Sequence, residues 1–241
     1  MVHEQNDLFE ELRVLRVDLQ RALPAARSFE EAAQLFVETL SGWRANEVVL
    51  ARMYATLPFG DLPPEAREAL RARSALAPAD DTTVLTLLGS HGVEPSWRSR
   101  RASRNHGFIP LLGAKALRSA PMLARLLVEL GVDLRAFEIG AGGGHRLLLG
   151  GLNGVFYVAD AATDRDEFGR LVVPDQAFVA DHGVRTVWGV GGLYPNRSIA
   201  ACIVFLRREL SRAQAERRAP LITTFKLATT SLVSQKSWFS P

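Results

Sequence analysis

The chain has 241 residues, with 29 lysines and arginines against 26 aspartates and glutamates, and a formal net charge of +3. Hydrophobic residues make up 47% and charged residues 23%, a balance that excludes wholesale disorder and is typical of one sizeable globular domain. The single cysteine, Cys202, excludes an internal disulfide framework, a four-cysteine zinc site and a two-cysteine redox cycle. We expect this thiol to be buried in an apolar strand.

A cytoplasmic chain without a membrane span is expected from the hydropathy pattern. No apolar run approaches the roughly 20 residues that a membrane-spanning helix needs. The first residues are acidic where a secretory signal would be basic, and no apolar segment follows them.

The first 42 residues are predicted to form two helices. An amphipathic helix over 7–23 is indicated by leucines at spacings of four and three, namely Leu8, Leu12, Leu15, Leu19 and Leu23. This stripe would serve either as a dimer seam or as packing onto the chain's own core. Ser28 with Glu31 three residues later predicts a capping box that opens the second helix, which ends near 41–42.

The remaining elements alternate between strands and helices. In chain order we predict a strand at 47–56, a helix at 65–76, a strand at 82–89, a short apolar run at 108–112, a helix at 115–130, a strand at 154–159, a short helix at 174–181, strands at 184–192 and 198–206 around a hairpin turn at 194–197, and a final helix at 211–233. Long crossings between strands, one tight hairpin and helical ends predict an α+β fold with an antiparallel sheet flanked by helices.

This order of elements resembles the GAF family, the small-molecule-sensing domains of bacterial signalling proteins. Three phrases carry the resemblance: LTLLGSHGVEPSW at 85–97, PDQAFVADHGVRTVWG at 174–189 and GGLYP at 191–195. The resemblance extends over 28–232 and rests on no catalytic signature.

The resemblance implies a six-stranded antiparallel sheet with a ligand pocket on one face, roofed by the middle helix and loops. It also implies a homodimer through the bundled first and last helices. On this basis we divide the chain into an N-terminal amphipathic helix at 1–27 and a GAF-like domain at 28–241. No cofactor is required; a heme-binding variant would need one axial histidine, for which His106 or His145 would serve.

A basic loop at 97–106, WRSRRASRNH, is the best candidate for ligand binding. The segment 95–128 contains no carboxylate but seven basic residues, a composition that attracts anions. Arginine side chains bind carboxylate or phosphate in a bidentate manner, and a tryptophan offers a stacking face. The predicted ligand-binding residues are Trp97, Arg101, Arg104, His106, Phe108, Phe156 and Trp188. The alternatives are a solvated loop in salt bridges with the acidic N-terminal helix, and aromatic side chains that belong to the core.

A glycine-rich segment at 137–145, FEIGAGGGH, suggests a different function. It resembles the first motif of S-adenosylmethionine-dependent methyltransferases, and Asp160 lies twenty residues after Gly140. The alternative function is therefore an enzyme that binds S-adenosylmethionine or a nucleotide at Gly140–Gly144. The other interpretation of these glycines is a flexible hairpin at the sheet edge.

We expect a non-catalytic, homodimeric sensory domain. An anionic or aromatic small molecule would bind between the sheet and residues 95–130, and the terminal helices would pass the signal to an output partner. No helix-turn-helix or RNP signature is present, so nucleic acid is not the expected partner. A pure interaction module without a pocket is the third possibility, and a cavity beside Trp188 would distinguish it.

Overall fold

The computed structural model describes residues 2–43, 45–73, 78–103, 106–137 and 153–240. Its strands are β1 (Val48–Pro58), β2 (Thr83–Gly92), β3 (Phe108–Pro110), β4 (Asn153–Val158), β5 (Thr186–Leu193) and β6 (Ile199–Leu206). Its helices are α1 (Val2–Ala22), α2 (Phe29–Trp43), α3 (Pro64–Arg73), α4 (Gly113–Arg118), α5 (Pro121–Glu129), α6 (Gln176–His182), α7 (Arg212–Glu216) and α8 (Pro220–Ser234).

The six strands form one sheet in the order β3-β2-β1-β6-β5-β4, and every neighbouring pair is antiparallel. The hairpin between β5 and β6 lies where the sequence predicts it, with Tyr194 N–H donating to the carbonyl of Ser198 at 2.9 Å. The predicted α+β class with a six-stranded antiparallel sheet is confirmed.

One face of the sheet is covered by helices α1, α2 and α8. Leu15, Leu19 and Leu23 are buried in the same core as the residues of α2 and α8, so these leucines pack onto the chain's own domain. Leu12 is partly buried there, and the side chain of Leu8 lies outside the described residues. The division of the chain at residue 27 stays a prediction.

The start of α2 follows the predicted cap. The hydroxyl of Ser28 accepts the Glu31 N–H at 3.1 Å, and the Glu31 carboxylate accepts the Arg27 N–H at 2.7 Å. Further along, α2 crosses β2 in backbone contact: a Cβ atom placed on Gly89 would lie 2.4 Å from the carbonyl oxygen of Ala33. Only glycine allows this close approach, because it has no side chain.

The opposite face of the sheet is covered by the roof, a name used here for residues 111–137 together with α6. Its buried contacts include Leu117, Leu126 and Leu127 against Phe156 of the sheet. Two glycines let the end of α5 lie directly on the strands, since Cβ atoms on Gly154 and Gly191 would approach Leu130 to 2.7 Å and 2.5 Å. The sheet therefore separates two hydrophobic cores.

Two predicted helices are each divided in the structure. The segment predicted as one helix at 115–130 forms α4 and α5, because Pro121 has no N–H to continue the first helix and holds Ala120 in an extended conformation. The final helix likewise forms α7 and α8, with Pro220 as the first residue of α8. Within the described residues, none of the helices combines the length and the apolar character that a bilayer crossing requires.

Cys202 lies in the centre of β6 and is fully buried, as predicted. Burial raises the pKa of its thiol well above the ordinary value, so the neutral thiol persists and the side chain acts as a small apolar group.

Candidate functional site

Strand β1 places a charged and a polar side chain on the roofed face of the sheet. Ala51 and Met53 point into the helical core, and the alternation of the strand directs Arg52 and Tyr54 to the other side. Arg52 is half-buried and is the one charged residue of β1. Strand β1 lies between β2 and β6, so Arg52 is not on an edge strand of the sheet.

The guanidinium of Arg52 contacts hydroxyl groups and no carboxylate among the described residues. One terminal nitrogen, Nη2, donates to the hydroxyl of Ser103 at 2.9 Å. Its Nε atom is buried and has no hydrogen-bond partner among the described residues. Burial raises the pKa of the neighbouring Tyr54 hydroxyl, while the positive charge of Arg52 and a side-chain hydrogen bond between the two residues act in the opposite direction.

His106 belongs to the same electrostatic neighbourhood. Loss of solvation lowers the pKa of its imidazole, Arg52 lowers it further, and Asp175 opposes the shift. Its backbone has a φ of 61°, in the left-handed region. Asp175 begins α6, where its carboxylate accepts the Phe178 N–H at 3.0 Å. The cluster therefore joins β1, the basic loop and α6.

Trp97 lies at the border of the roof. Its half-buried ring makes edge-to-face contacts with Phe178 and His182, at centroid distances of 5.6 Å and 4.8 Å. The hydroxyl of Ser90 donates to the Trp97 carbonyl at 2.8 Å. Trp97 thus fixes the start of the basic loop against α6.

The arginines of the basic loop turn away from the roofed face. Arg100 Nη2 donates to Glu30 Oε2 at 2.8 Å, and Arg101 Nε donates to Glu30 Oε1 at 3.3 Å. These contacts are salt bridges to a helix, as in the alternative interpretation of this loop. The carboxylate belongs to α2, however, and not to the N-terminal helix. Arg104 lies outside the described residues.

The predicted aromatic residues divide between the two faces. Phe156 is fully buried under the roof, whereas Trp188 and Phe108 contact the helical core. Trp188 pairs in register with Tyr157, the residue after Phe156, and so points to the opposite side. The cavity beside Trp188 measures about 20 Å³ and holds no more than a water molecule.

The structure therefore brings Trp97, His106 and Phe156 to the roofed side, and it places Arg101, Phe108 and Trp188 elsewhere. Arg52 and Tyr54 are not among the ligand-binding residues predicted from the sequence. A signal was present, because a lone arginine within an apolar strand is uncommon unless it has a partner or a function. His145 and Gly140–Gly144 fall outside the described residues. Among the residues that are described, no group of three or more metal-ligating side chains is arranged around a common point.

No family model matches the chain. No curated protein matches it either. Three solved structures are similar to it: the chromophore-binding domain of the bacteriophytochrome RpBphP3 from R. palustris (10% identity over 95% of this chain and 63% of that chain, TM-score 0.48), the nlh2 GAF domain of A. aeolicus in an inactive state (8% over 95% and 99%, TM-score 0.47), and the GAF domain of the Acinetobacter phosphoenolpyruvate-protein phosphotransferase (11% over 94% and 92%, TM-score 0.47).

The chain spans 63% of the length of the bacteriophytochrome domain. The fold has the architecture that the sequence resemblance implies, a GAF-like six-stranded antiparallel sheet with helices on both faces.

Proposed function

We propose that the chain is a non-catalytic, small-molecule-sensing domain that holds an anionic ligand between its sheet and residues 95–130. The observation that carries the proposal is Arg52, a guanidinium on a central strand of the roofed face whose buried Nε has no partner among the described residues. A cationic group withdrawn from water is costly unless it is paired. None of the carboxylates in the described ranges forms an ion pair with it. A ligand carboxylate or phosphate would satisfy this guanidinium, and Tyr54 would offer a hydroxyl beside it.

The basic loop supplies a route from this site to the helices of the other face. Ser103, at one end of the loop, holds Arg52, and Arg100 nearby holds Glu30 at the start of α2. Glu30 also accepts the Ser240 N–H at 3.1 Å, and the Phe29 N–H donates to the Ser237 carbonyl at 2.7 Å. A ligand that takes Arg52 from Ser103 would shift the loop and loosen the segment that follows α8. The terminal helices of a homodimer would pass this change to an output partner.

The enzyme alternative has less support. A methyltransferase-type cofactor site needs a parallel strand that leads into the glycine-rich loop. Here Leu134–Phe137, directly before that loop, is a 3-10 turn, and all described strand pairs are antiparallel. Both observations favour the non-catalytic function.

Native mass spectrometry of the purified protein, before and after denaturation, tests the proposal. We expect the wild type to release a small molecule that carries a carboxylate or phosphate, and Arg52→Met to release much less of it. Arg185→Met is the matched control, because Arg185 is exposed and pairs with Glu209 at the surface. Equal release from both variants, or an empty wild type, would contradict the site. If the wild type and Arg52→Met both release S-adenosylmethionine or a nucleotide on denaturation, the enzyme alternative would be favoured.

A further inference from the structure

The basic loop contains a serine that follows two arginines. Arg100 and Arg101 lie three and two positions before Ser103, and the loop contains no carboxylate. A serine kinase with an acidic substrate-binding surface selects its substrates by arginines at these positions, because opposite charges pair across the interface. Ser99, the other serine of the loop, has a serine and a tryptophan at the corresponding positions. The charge pattern therefore singles out Ser103.

The hydrogen bonds around Ser103 are long and lie near the surface. The Ser103 N–H donates to the Ser99 carbonyl at 3.2 Å, and the N–H of the exposed Ala102 donates to the Ser99 hydroxyl at 3.2 Å. Arg101, whose side chain is 62% exposed, contacts Glu30 at 3.3 Å. Exposed hydrogen bonds of this kind open at little cost, so a kinase can draw the half-buried hydroxyl out of the loop. Carboxylates of the kinase would then replace Glu30 as partners of the two arginines.

The Ser103 hydroxyl lies beside a guanidinium that can bind a larger acceptor. It accepts a hydrogen bond from Arg52 Nη2 at 2.9 Å, and the buried Nε of Arg52 has no hydrogen-bond partner among the described residues. A phosphoryl group brings three acceptor oxygens and a charge of about −2 to the same place. Two of these oxygens would bind Nη2 and Nε together, in the bidentate geometry that a guanidinium favours.

We propose that Ser103 is a phosphorylation site and that its phosphoserine binds Arg52. The Ser103 Oγ attacks the γ-phosphorus of ATP, the bond between that phosphorus and the β,γ-bridging oxygen breaks, and ADP leaves. The hydroxyl proton passes to the catalytic carboxylate of the kinase. The phosphoryl group then takes the place of a ligand anion at Arg52. This competition rests on the proposed function and deepens it by naming a covalent regulator of the same guanidinium, whereas the modification itself requires no ligand.

The site of modification is tested on the protein isolated from its native cells. Mass spectrometry should find a phosphoryl group on Ser103 and none on Ser99. The unmodified protein should accept one phosphoryl group from ATP and an arginine-directed serine kinase, and Ser103→Ala should accept none. Arg100→Gln/Arg101→Gln should lose most of this reactivity, whereas Arg98→Gln, at an exposed position of the same loop, should keep it. Native protein without phosphate on Ser103 under every growth condition sampled, or equal rates for these two arginine variants, would overturn the assignment.

The placement of the phosphate is tested with phosphoserine incorporated at position 103 during synthesis. Urea denaturation should show a folding equilibrium constant about tenfold higher than that of the unmodified protein, because hydrogen bonds to charged groups are strong. In Arg52→Met the same phosphoserine should give no such gain. Phosphoserine at position 99 is the matched control, and any gain there should be the same with and without Arg52. A gain at position 103 that does not depend on Arg52 would overturn the placement.

Inorganic phosphate distinguishes the regulation from the proposed ligand site. Added to the unmodified protein, it should raise the urea midpoint more in the wild type than in Arg52→Met, because it binds the folded site alone. With phosphoserine at position 103, this difference should disappear. A difference that persists would refute the competition. No difference in the unmodified protein would refute the ligand site alone, and the two experiments above would then decide the modification.

Discussion

The carboxylate of Glu129 accepts a hydrogen bond from the main-chain N–H of Tyr157 at 2.8 Å, at the outer edge of strand β4. Arg125, one helical turn earlier on α5, donates to the Tyr157 carbonyl at 2.7 Å. These two side chains occupy the positions that a seventh strand would otherwise fill. The edge is thereby closed to pairing with another chain, a recurrent risk for exposed strands.

Replacing Glu129 with alanine should lower the free energy of unfolding by about 2 kcal/mol, because a charged acceptor of a main-chain N–H is lost. The change also removes the 3.4 Å contacts of Glu129 with Arg125 and Arg212. Urea denaturation measures the loss. Glu129→Gln retains an acceptor oxygen and should lose less; equal losses would show that the hydrogen bond contributes nothing.

Gly89→Ala should destabilise the protein by about 1–3 kcal/mol, since the new methyl group would force α2 away from β2. Gly42, near the end of the same helix, has no atom within 4 Å of the place that an added methyl group would take. Gly42→Ala should therefore be neutral or raise the midpoint of thermal unfolding slightly. A Gly89→Ala protein as stable as the wild type would contradict the backbone contact.

Stability should fall on acidification through the histidine range. Burial lowers the pKa of His91, Glu38 opposes this shift and Arg98 adds to it; the pKa of His106 is also lowered. The unfolded chain binds these protons first, at a pH of about 6.5. The free energy of unfolding therefore decreases as the pH falls below about 6.5, and the decrease levels off once the pH lies below the folded-state values.

Urea midpoints at several pH values measure this dependence. His91→Gln and His106→Asn should each flatten the slope, and asparagine suits the left-handed backbone at position 106. A slope that neither substitution changes would assign the effect to other groups.

Glu30→Gln should destabilise the protein by about 2 kcal/mol at neutral pH. Burial alone would raise the pKa of Glu30, but Arg100, the Ser240 N–H and Arg101 together lower it below its ordinary value. Its stabilising contribution is thus present above about pH 4.5 and is lost as the pH falls through the folded-state pKa. The variant should lack that acid-side loss.

Hydrogen exchange gives a second measurement for Glu30. Because its carboxylate accepts the Ser240 N–H, the exchange of this amide should accelerate in Glu30→Gln. Glu65→Gln, at an exposed site in α3, is the control and should leave the rate unchanged. Unaltered exchange in both variants would argue against the route from the basic loop to residues 237–240.

Local signals in the sequence predicted local structure well. The hydroxyl of Ser28 and the carboxylate of Glu31 act within one turn, so their spacing alone located the start of α2. The helices predicted at 115–130 and 211–233 each contain a proline, Pro121 or Pro220, whose missing N–H divides the helix at that place.

Contacts between distant residues could not be derived in this way. Whether Phe156 and Trp188 share a face depends on the register between β4 and β5, which no single strand specifies. Likewise, the partner of Arg101 is Glu30, 71 residues away. Arg52 differs from these residues, because a lone arginine within an apolar strand is a signal that the sequence alone contains.

Because Cys202 is fully buried, the protein is well suited to spectroscopic labelling at an introduced cysteine. With its only native thiol at 0% exposure, a cysteine introduced at the surface becomes the sole site for a maleimide dye or a nitroxide. Leu227, which is 78% exposed on α8, offers such a position. Distances between two such labels would then report the arrangement of two copies without removal of a native side chain from the core.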